Sequence, residues 1–290
     1  MDLLSEDECQ HLLDTVRDVA SGDRFWERDI GIVYNEYVKS RAITPNRNLI
    51  PGNPAEASGT PGVFAPIPIV RPLPGARRLA LPPAQTLHRS LSESILQRRT
   101  RRDFGGEAIA FAHLSTLLGH GCGTTGFCDA YGYSRLPLRT FPSSGGLQAP
   151  EVYLSVQAVD DVPAGLYHYH PIDNVLESLT PGNHGAALRR AALDQPYVEA
   201  AAVVFVITGY YQRLRWKYGD RGYRYMCMDA GFLGENLYLA SEALGLGACA
   251  IAGFLDDPLN GLLNLDGQNE MVLLLIAVGV PGIPGPKHPV

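Results

Sequence analysis

The sequence predicts a sandwich of strands interspersed with helices, α+β or α/β in class, behind an extension that has no core of its own. Three observations carry this. Two continuous apolar runs, Ala201 to Thr208 and Met271 to Val278, have the length of strands buried on both faces. Between them, Leu233, Leu237, Ala240 and Leu244 recur at helical spacing. Nine of the 22 prolines fall between Pro51 and Pro83, where missing backbone donors and a fixed φ exclude helix and central strand, so this stretch should run extended over a surface.

The elements follow in order. Leu12, Leu13, Val16 and Val19 set a short amphipathic helix over Glu6 to Val19. With the proline-rich arm it makes an extension over residues 1–85, leaving 86–290 as the folded domain. Leu87, Leu91, Ile95 and Leu96 predict a second helix, which runs into Arg98-Arg99-Thr100-Arg101-Arg102-Asp103-Phe104. Glu151 to Val156 alternates like a strand, and Gly165 to Tyr169 is expected to pair with Val175 to Leu179. The long helix should stop at Gly245 and Gly247, where a left-handed cap needs no Cβ.

Composition narrows the function classes. A net charge of -6 with no basic tract leaves no footprint for a nucleic-acid backbone. No apolar run reaches the roughly 20 residues that cross a bilayer, and Met1-Asp2-Leu3-Leu4-Ser5 lacks the basic start of an export signal. The five cysteines are scattered and odd in number, which reads as reduced, mostly buried thiols and a cytoplasmic location.

Three segments carry chemistry. Arg98, Thr100 and Arg102 lie at i, i+2 and i+4 where a helix gives way to loop, bringing two guanidinium forks and a hydroxyl to a point suited to a phosphate. By itself an arginine run is more often a solvated surface. In Phe141-Pro142-Ser143-Ser144-Gly145-Gly146 the small residues let backbone approach a flat ligand and the serines supply hydroxyls, although alone this is an ordinary turn. Between Tyr210 and Tyr225 lie five of the 14 tyrosines and five of the 24 lysines and arginines, a density that points to a lined pocket over a cation-laced ridge. His168 and His170 share one strand face but lack a nearby carboxylate or thiolate in sequence, so they read as hairpin surface and not as a metal site. Ser144 lacks the spacing of a nucleophile elbow, and nothing adjacent lowers the pKa of Cys122 or Cys128.

In this order the segments resemble the nitroreductase superfamily of FMN enzymes, and within it the SagB-type azoline dehydrogenases, which oxidise thiazoline and oxazoline rings in peptides. The resemblance spans Leu87 to Gly279. Arg98 to Phe104 is similar to the Arg-Arg-Ser-x-Arg-x-Phe motif, Pro142-Ser143-Ser144-Gly145 to the flavin-edge turn, and Gly245-Leu246-Gly247-Ala248 to the Gly-Leu-Gly element. Lys217-Tyr218-Gly219, Arg221-Gly222-Tyr223-Arg224-Tyr225 and Asp229-Ala230-Gly231 match the branch signature. Tyr34-Asn35-Glu36-Tyr37 with Lys39 resembles an upstream motif in which Asn35 replaces a histidine.

The resemblance implies an α+β fold, a mixed sheet packed by helices, in a homodimer that exchanges elements and holds FMN at its interface. It assigns Arg98, Thr100 and Arg102 to the FMN phosphate, the turn Pro142, Ser143, Ser144 and Gly145 to the isoalloxazine, and the Ala252-Gly253 backbone to the flavin N5 region. Lys217 and Tyr218 become the catalytic pair, with Lys217 as a base whose pKa burial and the cations Arg215 and Arg221 should lower. Relatives carry a basic phosphate contact after the last strand, where this chain has only the late Lys287. The implied reaction dehydrogenates an azoline in a peptide, with dioxygen reoxidising the flavin and a cyclodehydratase as partner. The alternatives are an NAD(P)H-dependent nitro or quinone reductase, a dehydrogenase of a carrier-bound or open-chain amino-acid substrate, and an arm that presents substrate.

Overall fold

A computed structural model of the chain describes residues 67–282. The helix expected over Glu6 to Val19, the Tyr34 to Lys39 motif and Lys287 lie outside the described residues. In chain order the elements are β1 (Arg78–Ala80), α1 (Leu91–Gln97), α2 (Phe111–Cys122), β2 (Thr124–Ala130), β3 (Tyr133–Arg139), β4 (Pro150–Val156), β5 (Gly165–His170), β6 (Val175–Pro181), α3 (Gly185–Ala191), α4 (Pro196–Ala200), β7 (Val203–Tyr210), α5 (Gln212–Tyr218), α6 (Gly222–Ala243), β8 (Gly247–Ile251), α7 (Asp256–Leu262) and β9 (Glu270–Gly279). Seven strands form one sheet in the order β1-β6-β5-β4-β7-β9-β8, and β2 with β3 forms a separate ribbon. The α+β class holds. The ladders between these strands are antiparallel, and a parallel component enters at an isolated bridge between Thr100 and Ala248.

The two apolar runs became the central strands β7 and β9 because both faces of the sheet are covered. On one side, Phe205, Ile207 and Ile276 pack with Leu233 and Leu237 of α6 and Leu114, Leu117 and Leu118 of α2. On the other, Val204, Val206 and Leu275 meet Leu188 of α3 and Leu259 of α7. Each fully buried aliphatic side chain contributes about 1.5–3 kcal/mol, so a strand lined on both sides anchors the sheet from two cores. β4, which alternates in sequence, is buried at all seven positions for the same reason. The β5–β6 hairpin pairs as expected, with Gly165 opposite Pro181 and His170 opposite Val175.

α6 ends where the pattern predicted, with Leu244 as cap and Gly245 at φ 73°. Gly247 has a different reason to be glycine. A Cβ there would lie 2.9 Å from the Arg101 Cβ and 3.2 Å from the Phe104 ring. The arginine segment crosses β8 at this point, bridging Thr100 to Ala248 with Arg101 N donating to Ala248 O at 2.9 Å.

α1 forms where expected, opened by a capping box between Ser90 and Glu93. Its apolar residues, however, do not face this chain's core: Leu91, Ile95 and Leu96 are 67%, 54% and 70% exposed. The spacing located an apolar face without saying what covers it. The tail of the proline-rich stretch, from Ile67 onward, runs extended as expected and contributes β1 as an edge strand beside β6.

The four described cysteines are free, and half of them are buried: Cys122 and Cys249 lie inside, Cys128 is partly covered and Cys227 is exposed. Burial pushes the Cys122 thiol up to about 11. Among the described residues no helix is long and apolar enough to cross a membrane.

Candidate active site

The turn from Pro142 to Gly146 is held from below by Asp229 of α6. Ser144 N donates to the carboxylate at 2.9 and 3.1 Å, Ser143 Oγ donates at 3.0 Å and Ser144 Oγ at 2.8 Å. Ser143 Oγ in turn accepts from Gln148 N at 2.9 Å. Asp229 is 1% exposed; burial raises its pKa against these donors, which lower it. Both serine protons are therefore committed inward, and what the serines offer a ligand is acceptor lone pairs. Asp229 belonged to the signature segment, yet its task has no local sign, because it lies 85 and 86 residues from the serines it fixes.

Lys217 and Tyr218 close α5 and meet this turn at Gly145. A Cβ on Gly145, which sits at φ 60°, would lie 2.4 Å from Tyr218 Oη and 3.0 Å from Lys217 Nζ. Lys217 Nζ donates to Tyr131 Oη at 2.5 Å and lies 4.3 Å from the Tyr131 ring centroid and 5.1 Å from that of Tyr218. The lowered lysine pKa expected from its neighbours is not what this geometry produces. Burial pulls Lys217 down, but hydrogen bonds to Tyr131 and Tyr218 outweigh it and the net direction is up. The two arginines have other engagements: Arg215 approaches Asp220 at 3.9 Å, and Arg221 Nε donates to Tyr225 Oη at 3.0 Å.

α5 is fastened by a buried ionic network that sequence reading missed. Arg213, one helical turn before Lys217, donates to Glu151 Oε1 at 2.5 Å, to Gln148 O at 2.8 Å and to Pro68 O at 2.8 Å. Glu151 also accepts the Arg71 backbone N–H at 2.8 Å and contacts His168 Nε2 at 2.9 Å, while His168 Nδ1 meets Glu177 at 3.0 Å. The surface reading of His168 is thus corrected: it is fully buried between two carboxylates. Strand register brings them there, since His168 lies opposite Tyr153 of β4 and Glu177 of β6, and Glu151 shares the Tyr153 face. The glutamates sit on opposite ring nitrogens, so donors do not converge on one point, and the described residues contain no group of three or more metal-type ligands.

The arginine segment divides. Arg98 lies over the Tyr238 ring at 5.3 Å, Thr100 Oγ1 is 3.3 Å from Tyr238 Oη, and the same hydroxyl accepts Ala250 N at 2.6 Å. Tyr238 of α6 therefore joins two of the three residues to β8. Arg102 points elsewhere, to Tyr197 and Cys249. Ala252 and Gly253, just past β8, present exposed backbone. α6 thus carries Asp229 under the serine turn and Tyr238 under the arginine segment, about 13 Å apart along its axis at 1.5 Å per residue.

A model described as the Nitroreductase family matches residues 95–280. The chain belongs to this family of oxidoreductases. It is 32% identical over 189 residues, 65% of its own length and 90% of the relative's, to MJ1384 of Methanocaldococcus jannaschii, a protein carrying a nitroreductase name. It is 29% identical over 147 residues to the microcin B17-processing protein McbC of Escherichia coli, a match that covers 47% of this chain and about half, 52%, of McbC. This second match supports the SagB-type branch of the family. Among solved structures, a nitroreductase-named protein from Anabaena variabilis aligns at TM-score 0.62 and 29% identity over 72% of this chain, which spans 42% of that one. The E. coli microcin synthetase McbBCD complex with truncated pro-MccB17 aligns at TM-score 0.54 and 20% identity over 97% of this chain and 99% of its counterpart, which speaks to the fold.

Proposed function

We propose that the protein is an FMN-dependent dehydrogenase that oxidises a thiazoline or oxazoline ring in a peptide to the thiazole or oxazole, with dioxygen reoxidising the flavin. The observation that carries this reading is the convergence of Lys217 Nζ and Tyr218 Oη on Gly145 of the serine turn. The likeness to McbC, a microcin B17-processing protein by name, supports a substrate of that kind.

The residues fit FMN at both ends. Among the described residues no carboxylate pairs with Arg98, Arg99, Arg101 or Arg102, so this concentration of positive charge is available to a phosphate. Arg98 and Thr100, steadied by Tyr238, would hold that phosphate; Arg102 would join them by leaving Tyr197. At the other end, a glycine at position 145 lets Lys217 and Tyr218 come this close to the turn, and the serine oxygens would accept from the N–H edge of a flat ring. The Ala252-Gly253 backbone would flank the ring. When bound, the flavin supplies the hydride acceptor that no protein side chain provides.

The chain's own groups handle the proton. Lys217, once neutral, takes the acidic proton from the ring carbon next to the carbonyl, and Tyr218 Oη orients the substrate and hydrogen-bonds the charge that develops on its oxygen. Because the phenols favour the ammonium form, the base form of Lys217 grows with rising pH. The exposed apolar residues of α1, with Met228 and Phe232 of α6, are the surface through which two protomers would pair. A cyclodehydratase that forms the azoline is the partner this chemistry calls for.

Purified protein should carry a flavin absorbance. Lys217→Ala should retain it and lose azoline oxidation; full turnover in that variant would remove Lys217 from the mechanism. The nitroreductase-named relative favours a second reading, reduction of a nitro or quinone substrate by NAD(P)H. Rapid anaerobic bleaching of the flavin by NADH or NADPH selects that one.

A further inference from the structure

We infer that Tyr131 is a positioning residue for Lys217, tying its ammonium to the serine turn through one phenol oxygen. The inference deepens the proposed function, since it rests on Lys217 being the base.

The phenol makes two bonds of opposite sense. It accepts from Lys217 Nζ at 2.5 Å and donates its own proton to Gly145 O at 3.0 Å. A phenol has one proton and two lone pairs, so a neutral tyrosine can accept from the lysine and donate to the carbonyl at once, and the raised lysine pKa makes that donor the ammonium. When Lys217 loses its proton, the Tyr131 O–H has a second acceptor 2.5 Å away and needs only to rotate from Gly145 O to Nζ. One oxygen thus holds the lysine in place in both protonation states, with no heavy atom moving.

The backbone under Tyr131 provides an independent argument. Ala130 pairs with Tyr133, so Tyr131 and Gly132 are the two-residue loop of the β2–β3 ribbon, at φ 54° and 77°. Positive φ at both loop residues is the pattern of a type I′ turn, where Asn, Asp or Gly is favoured at the first position. A tyrosine in that left-handed conformation is locally disfavoured. Packing asks only for an aromatic ring: Tyr131 meets Trp216 edge-on at 5.6 Å within a cluster that includes Tyr218 and Tyr225. The hydroxyl is the part packing does not explain.

The groups around Lys217 are Tyr131 from the ribbon, Tyr218 from its own helix, Tyr225 of α6 edge-on to Tyr218 at 5.0 Å, and beyond them Arg215, Asp220, Arg221 and Asp229. Among the described residues no carboxylate pairs with Lys217. Removing the Tyr131 hydroxyl therefore withdraws a major stabiliser of the ammonium.

The chain has three lysines, Lys39, Lys217 and Lys287, so selective 13C labelling at lysine Cε gives a spectrum with few resonances, in which Lys217 is assigned by its loss in Lys217→Arg. In full-length protein, Tyr131→Phe should lower the Lys217 midpoint by at least about half a pH unit, from a wild-type value above the ordinary 10.4 or so. Its melting temperature and flavin absorbance should stay near wild type. The acid limb of kcat/KM for an azoline peptide should move down in pH by the same interval, and the plateau should fall. An unmoved lysine midpoint in folded Tyr131→Phe overturns the inference. Full turnover in Lys217→Ala overturns instead the reading of the lysine as base, and leaves the tie between Tyr131 and Lys217 to be judged by the titration alone.

Discussion

Asp229 shows how much one side chain can organise. It receives a backbone N–H and two hydroxyls from Ser143 and Ser144. Asp229→Ala should leave these donors buried without an acceptor and lower stability by on the order of 2 kcal/mol or more, given about 1–3 kcal/mol per unsatisfied buried group. Asp229→Asn keeps one carbonyl acceptor and should cost less. Urea denaturation measures the difference, and flavin affinity should fall in the same order. At this scale the sequence was readable where groups are contiguous: Lys217 and Tyr218, which meet at Gly145, lie inside one dense segment. Their partner Tyr131 did not, because it lies 86 residues away at a ribbon tip with no periodic signal. The lysine's pKa direction was misjudged for the same reason. Nearby arginines are visible in sequence, whereas the distant phenol that helps outweigh burial is not.

Elements were legible through their periods, and less so through their surroundings. The apolar runs of β7 and β9 and the stripe of α6 state both type and burial. α1 states its type alone, and β5 conceals a buried ion pair behind a tyrosine and histidine alternation that resembles a wet hairpin. His168 makes that strand pH-sensitive. Burial pulls its pKa down, but the hydrogen bonds it donates to Glu151 and Glu177 outweigh this and raise it to about 9. With an ordinary value near 6.5, its contribution should be fully present below about pH 6.5 and lost as pH rises through about 9, on the order of 3 kcal/mol at 1.36 kcal/mol per unit. Urea denaturation from pH 6 to 10 should show this alkaline decline, and His168→Gln should flatten it. Glu151, held well below the usual carboxylate range by Arg213 and His168 against its burial, acts on the other side: its contribution is present above its ordinary pKa and fades as pH falls. Since Arg213 shares this network, alkaline loosening of β5 should also loosen the helix that carries Lys217.

Taken whole, the described residues present an apolar surface that none of them covers. Leu91, Ile95 and Leu96 on α1 and Met228 and Phe232 on α6 are all exposed, and Arg89 of the loop before α1 pairs with Glu242 of α6. Sedimentation of purified protein should give a dimer, and Met228→Glu with Phe232→Glu should give a folded monomer of reduced flavin content. A wild-type monomer would remove the pairing surface from the proposal. The sheet strands and the long helix were foreseeable because each is a local pattern. What covers a face, and which distant side chain completes a charge, depends on tertiary neighbours that no window of sequence contains.

The strand order also dictates when the arginine segment can be finished. β9 lies between β7 and β8, so β8 has no partner in the sheet until β9 arrives. Phe104 meets Gly279, at the far end of β9, and Gly247. On the ribosome, Arg98 to Arg102 emerge early and then wait about 180 residues for their floor, a long-range closure of the kind that slows folding. A phosphate-bearing ligand captured by these residues in the folded state would therefore find no finished site on a partly synthesised chain, and loading would begin only after the sheet is complete.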